Sequence, residues 1–145
     1  MKLETSSKSV ELVIKTKKIV SISNHLKNKK FEEVFFKSLM ECDLEALSII
    51  IFVLAEDGIF KNSSEVYDFL DDYMKESGKT YDDIYKDIAT AINEEGFFRS
   101  KMTEEELESR MSDILSSMNY EDIIKNSVEK MATEVVADEF KGFKG

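Results

Sequence analysis

Few residues in this chain could do chemistry. His25 is the only histidine and Cys42 the only cysteine. A hydrolase or transferase needs a nucleophile with a base, paired carboxylates in a cleft, or a bound metal. His25 stands among lysines, as expected of an exposed helix residue, and no His/Cys spacing fits zinc. A lone cysteine rules out an intrachain disulfide. The apolar helical pattern around Cys42 points to a buried, inert thiol.

The carboxylates are numerous but badly arranged for catalysis. A calcium loop opening at Asp57 needs oxygen ligands at its third and fifth positions and glycine at its sixth. Here those first two positions are Ile59 and Lys61, and the glycine comes second. Asp68, Asp71 and Asp72, like Asp82, Asp83 and Asp87, fall on the polar sides of helical patterns, where a solvated face is the expectation. No glycine-rich phosphate loop is present. The reading is a protein with no catalytic residue, no metal and no cofactor, acting by binding other proteins.

Charge narrows the partners. The chain has 145 residues and a net charge of −10. Residues 1–30 carry eight lysines against Glu4 and Glu11, while the remainder holds 12 basic and 28 acidic side chains. An acidic body repels phosphates and anionic lipids, so neither nucleic acid nor membrane is expected as a partner. The basic start lacks arginine and aromatics to stack on bases. Met1-Lys2-Leu3-Glu4 does not resemble a signal peptide, and the longest apolar run, residues 49–55, is too short to span a bilayer. A cytoplasmic protein is the expectation.

The elements that must position these residues are helices. Proline is absent, so helix can follow helix with short connections. Val10–Ile14 is β-branched and short, and predicts a strand. Residues 17–27 fit two readings: a helix capped by Thr16, or a second strand through Ile19–Ile22. Phe31, Val34, Phe35 and Leu39 then mark one helix face. Asp43 suits an N-cap for a helix that is apolar nearly all round, Leu44–Leu54, expected as the most buried element and stopped by Gly58. Ser63 and Ser64 offer caps for a helix with Val66, Phe69, Leu70, Tyr73 and Met74 inward, ended by Gly78. Thr80 and Asp83 pair as a capping box for the next, which stops at Gly96. A further capping box, Thr103 with Glu106, opens a Met-rich amphipathic pair of helices.

Together these predict a mainly α protein. Residues 1–98 form a compact helical domain with a short N-terminal β element, and residues 99–145 form a C-terminal helical extension. Glu56-Asp57-Gly58-Ile59-Phe60 and Glu94-Glu95-Gly96-Phe97-Phe98 share one pattern: a left-handed glycine, then an apolar residue folding back on the helix end. Two adjacent apolar residues cannot easily both turn inward there. Ile59, Phe60, Phe97 and Phe98 are therefore candidate partner-binding residues, against the reading that at least one merely staples the helix end.

Glu65-Val66-Tyr67-Asp68-Phe69-Leu70-Asp71-Asp72-Tyr73, then Tyr81-Asp82-Asp83-Ile84-Tyr85 and Gly96-Phe97-Phe98, carry a resemblance. In their order and spacing, over residues 1–98, the chain resembles the tail assembly chaperones of long-tailed phages and prophages of Gram-positive bacteria. The resemblance implies a chaperone that coats the tape-measure protein, keeps it soluble and helps recruit tail tube subunits. It also implies absence from the finished virion. Many such proteins are made in two lengths by ribosomal slippage, and Gly142-Phe143 permits a slippery codon spelling. Self-association through the basic start and acidic body is compatible with this reading. The alternative is a small acidic adaptor or regulator that binds a host protein. A third class, a metal-dependent enzyme on a helical bundle, has only the acidic groups above in its favour.

Overall fold

A computed structural model describes residues 1–28 and 30–116. Two short strands, β1 (Lys2–Glu4) and β2 (Ser9–Glu11), precede five helices. These are α1 (Thr16–His25), α2 (Phe31–Glu41), α3 (Leu44–Leu54), α4 (Ser64–Ser77) and α5 (Tyr81–Glu94). Residues 104–116 form a further helical stretch, α6. The fold is mainly helical, with a small N-terminal sheet.

β1 and β2 pair antiparallel, with Leu3 opposite Val10 and both buried. The turn between them is held by the Thr5 hydroxyl, which accepts from the Lys8 amide at 3.0 Å. The expected strand over Val10–Ile14 is thus corrected at both ends. Its pairing with β1 covers Ser9–Glu11, and Leu12 bridges Ala55 instead. The Val13 amide donates to Leu54 O at 2.7 Å and the Glu56 amide to Glu11 O at 2.9 Å. The chain leaving α3 therefore continues the hairpin. Of the two readings for residues 17–27, the structure has the helix: Ile19 and Ile22 face inward, and Thr16 is its first residue rather than its cap.

α3 is the centre. The Asp43 carboxylate accepts from the Ala46 amide at 3.0 Å, capping the helix as expected. Leu47, Ile50, Ile51 and Leu54 are fully buried. Complete burial of one such side chain is worth about 1.5–3 kcal/mol. Leu44, expected inside, lies in the first turn and is exposed. The stop also differs. Helix α3 ends at Leu54 because Ala55 turns extended to meet Leu12, and Gly58 (φ +84°) belongs to the turn beyond.

The caps of α4 and α5 show how local sequence sets these boundaries. Neither Ser63 nor Ser64 caps α4. Asn62 takes that role, its side-chain oxygen accepting from the Glu65 amide at 3.1 Å. Thr80 and Asp83 form the expected box, bonding reciprocally at 3.2 and 2.9 Å. The bond from the Thr80 amide is the main cause holding the Asp83 carboxyl below its ordinary value, with the Thr80 side chain adding to it. At the far end, Gly96 (φ +78°) closes α5: its amide bonds Asn93 O and the Phe97 amide bonds Ile92 O.

The described part of the expected C-terminal extension is docked on the core rather than set apart. Leu107 and Met111 of α6 are buried, and Asn93 exchanges two hydrogen bonds with the Met102 backbone, at 2.8 and 2.9 Å. Residues 117–145, including the second expected helix and Gly142-Phe143, lie outside the described residues. Among the described residues no helix is long and apolar enough to cross a membrane.

Candidate functional site

The four residues expected to meet a partner separate into two kinds. Phe98 is buried against three phenylalanines of α2, with ring centroids 6.3 Å from Phe31, 5.8 Å from Phe35 and 5.1 Å from Phe36. Phe60 is buried edge-on against Phe69 of α4 at 5.6 Å, with the Lys8 ammonium 4.7 Å from its ring. Both rings therefore pack in the core, which corrects the expectation for Phe98 as a partner-binding residue outside it and fits the helix-end staple, while Phe60 also lines the groove described next. Ile59 and Phe97 are half-buried. Ile59 gives its carbonyl to Lys8 Nζ at 3.1 Å, and Phe97 completes the α5 stop. The glycine that precedes each pair explains the outcome. It turns the chain back so that the second apolar residue reaches the core.

An apolar surface that remains open lies elsewhere, in a groove of about 430 Å³ between α1 and the end of α3. Beside the buried Ala55 and Phe60, its apolar lining is Phe52 and Val53, both half-buried and forming the open floor. These two extend the apolar character of α3 past the stripe that enters the core. One rim comes from Lys15, just before α1, and from Lys17 and His25 of α1. Another comes from the turn after α3 and carries Glu56 and Asp57. All five are exposed.

Lys18 fixes the groove's shape. Its Nζ donates to the carbonyl oxygens of Leu54 at 3.1 Å and Ala55 at 2.7 Å. Those oxygens end α3 without a helical partner. Leu54 O already accepts from the Val13 amide; the ammonium group adds a second bond there, bonds Ala55 O and complements the negative end of the helix. α1 is thereby tied to the end of α3 beside the Phe52–Val53 floor. His25 is anchored too, its Nδ1 lying 2.8 Å from Ser21 O one turn earlier.

The sequence signal for this groove was the all-round apolar character of α3. Taken as a sign of burial alone, it concealed that Phe52 and Val53 stay partly in solvent. The lysines of residues 15–18, expected to be simply solvated, include one that bonds the backbone.

Larger concavities of about 640 and 920 Å³ flank α6, and their linings are dominated by that helix's polar residues, with Met40 and Ile114 the apolar exceptions. Met40 and Ile114 are half-buried, as Phe52 and Val53 are, but the charged residues beside them, Glu105, Glu106, Arg110 and Asp113, all belong to α6. Cys42 ends α2 in the left-handed region (φ +48°), and burial, with Asp82 and Asp43 nearby, pushes its thiol up. The residue is half-buried, not fully buried as its apolar surroundings in the sequence predict. Among the described residues no group of three or more His, Cys, Asp or Glu is placed to hold a metal ion. Comparisons with protein-family models, curated proteins and solved structures find no match.

Proposed function

We propose that this chain is a non-enzymatic tail assembly chaperone of a long-tailed phage or prophage, working in the host cytoplasm. Its client is the tape-measure protein, which it keeps soluble while tail tube subunits are recruited. The observation that supports this best is the α1–α3 groove. A floor of Phe52 and Val53 between charged rims suits the apolar stripe of a client helix, with the rims meeting that helix's polar flanks. Lysine stems on α1 can lie along apolar surface while their heads remain in water. The order of the acidic Tyr/Leu helix, the glycine stop and the Gly96-Phe97-Phe98 ending supports the family within that class.

Co-expression tests it. A tape-measure protein that aggregates alone should stay in the soluble fraction when this chain is present. Phe52→Asp, which charges the groove floor without entering the buried stripe of α3, should abolish that protection while circular dichroism stays helical. A tape-measure protein equally insoluble with and without the wild-type chain would remove the chaperone reading and leave the host-protein adaptor as its replacement.

A further inference from the structure

The two rims of the groove carry opposite charge, which points to a narrower class of ligand than any apolar helix. Resting on the groove as the client site, we propose that it selects a helix of mixed flanks. Such a helix presents carboxylates where it meets α1 and ammonium or guanidinium groups where it meets the turn after α3, with an apolar stripe between them.

Charge complementarity carries the assignment. Lys15 and Lys17 are exposed and their side chains make no ion pair among the described residues. Lys18, by contrast, is committed to the carbonyls of Leu54 and Ala55, so it holds the rim in place and is not free to bind a ligand. Glu56 and Asp57 are likewise exposed and make no ion pair among the described residues. A helix with acidic flanks on both sides meets repulsion at Glu56 and Asp57, and one with basic flanks meets it at Lys15 and Lys17. Only a mixed helix is attracted at both rims, and turning it end for end sets like charge against like. The rims thus supply specificity and orientation, while the Phe52–Val53 floor supplies the apolar contact.

Three synthetic helical peptides of about 18 residues, or about five turns, test this against the full chain. They share one apolar stripe and differ only in flanks: mixed, all acidic, or all basic. The mixed peptide should bind about tenfold tighter than either other at low salt, with the margin shrinking as salt is raised. The double variant Lys15→Glu/Lys17→Glu, altered only at exposed positions, should shift the preference to the all-basic peptide. Equal binding of all three would overturn the charge selection while leaving a helix-binding groove. A mixed-peptide preference unchanged in the double variant would overturn its assignment to this rim. No binding by any peptide would remove the groove reading itself, and the selection with it.

Discussion

The Tyr85 hydroxyl donates a 2.7 Å hydrogen bond to the carbonyl oxygen of Asp43. One buried phenol on α5 thus secures the residue that caps α3, the most buried helix. Burial is the largest reason that the Tyr85 phenol is pushed far above its ordinary value, with Asp43, Cys42 and Asp82 adding to it. Tyr85→Phe should cost about 1 kcal/mol in denaturant unfolding, the net worth of one hydrogen bond.

The same buried phenol sets an alkaline limit. A raised phenol pKa means the folded state keeps its proton where the unfolded chain gives it up. Its contribution is therefore complete below the unfolded value, about pH 10, and declines as pH rises beyond it. Cys42, also pushed up, acts in the same direction from a lower starting point. Melting temperature should fall more steeply above about pH 10 in wild type than in Tyr85→Phe. Parallel curves would show that Tyr85 does not carry the effect.

At acidic pH the opposite sign applies. The carboxyls of Asp83 and Glu106 are held below their ordinary values, first by the backbone bonds they accept from Thr80 and Thr103. Each contribution is present above the unfolded pKa and lost as pH falls through the folded one. Asp83→Asn should flatten the acid side of the stability curve for α5, and Glu106→Gln that of α6, as followed by residue-resolved amide exchange.

Lys18→Met removes the ammonium group that closes α3 but keeps most of the apolar stem. The variant should lose about 1 kcal/mol and exchange its Val13 and Glu56 amides faster, because both bonds cross the junction that Lys18 secures. Unchanged exchange there would mean the hairpin holds α3 unaided.

Glu32 is the clasp for α6. Its carboxylate accepts from the Arg99 amide at 2.9 Å and pairs with Arg110 at 3.3 Å. The Arg110 guanidinium also lies 3.9 Å over the Phe36 ring. Arg110→Ala should cost about 1 kcal/mol and raise exchange in α6 more than in α3. A double-mutant cycle with Glu32→Ala would separate the ion pair from the ring contact.

Elements with a strong local signal were legible from residue types alone. Asp43, Thr80 with Asp83, and the glycines at 78 and 96 act as caps and stops because each is a short-range backbone device. Helical spacing likewise placed Ile50, Ile51 and Leu54 in the core. Ile51→Asp should cost several kcal/mol and prevent folding, since the site has no partner for a buried charge. The misreadings have a common cause in tertiary contact. Residues Lys2–Glu4 hold a single inward side chain, Leu3, too few to show a strand, and their pairing is visible only once Val10 stands opposite. Gly58 matched a helix stop, but the bridge from Leu12 to Ala55 ends α3 first. Phe60 and Phe98 matched exposed apolar residues until α4 and α2 supplied rings to bury them. The groove was hidden because half-burial of Phe52 and Val53 depends on how α1 crosses α3.

The most direct measurement replaces Val53, on the groove floor, with a photo-crosslinking amino acid and co-expresses that chain with the tape-measure protein. A second chain carries the same group in place of Asp72, exposed on α4. Irradiation should join the Val53 position to the tape-measure protein, in a helical stretch with acidic and basic flanks, and leave the Asp72 position largely unreacted. A tape-measure protein kept soluble without any adduct at Val53 would contradict the account.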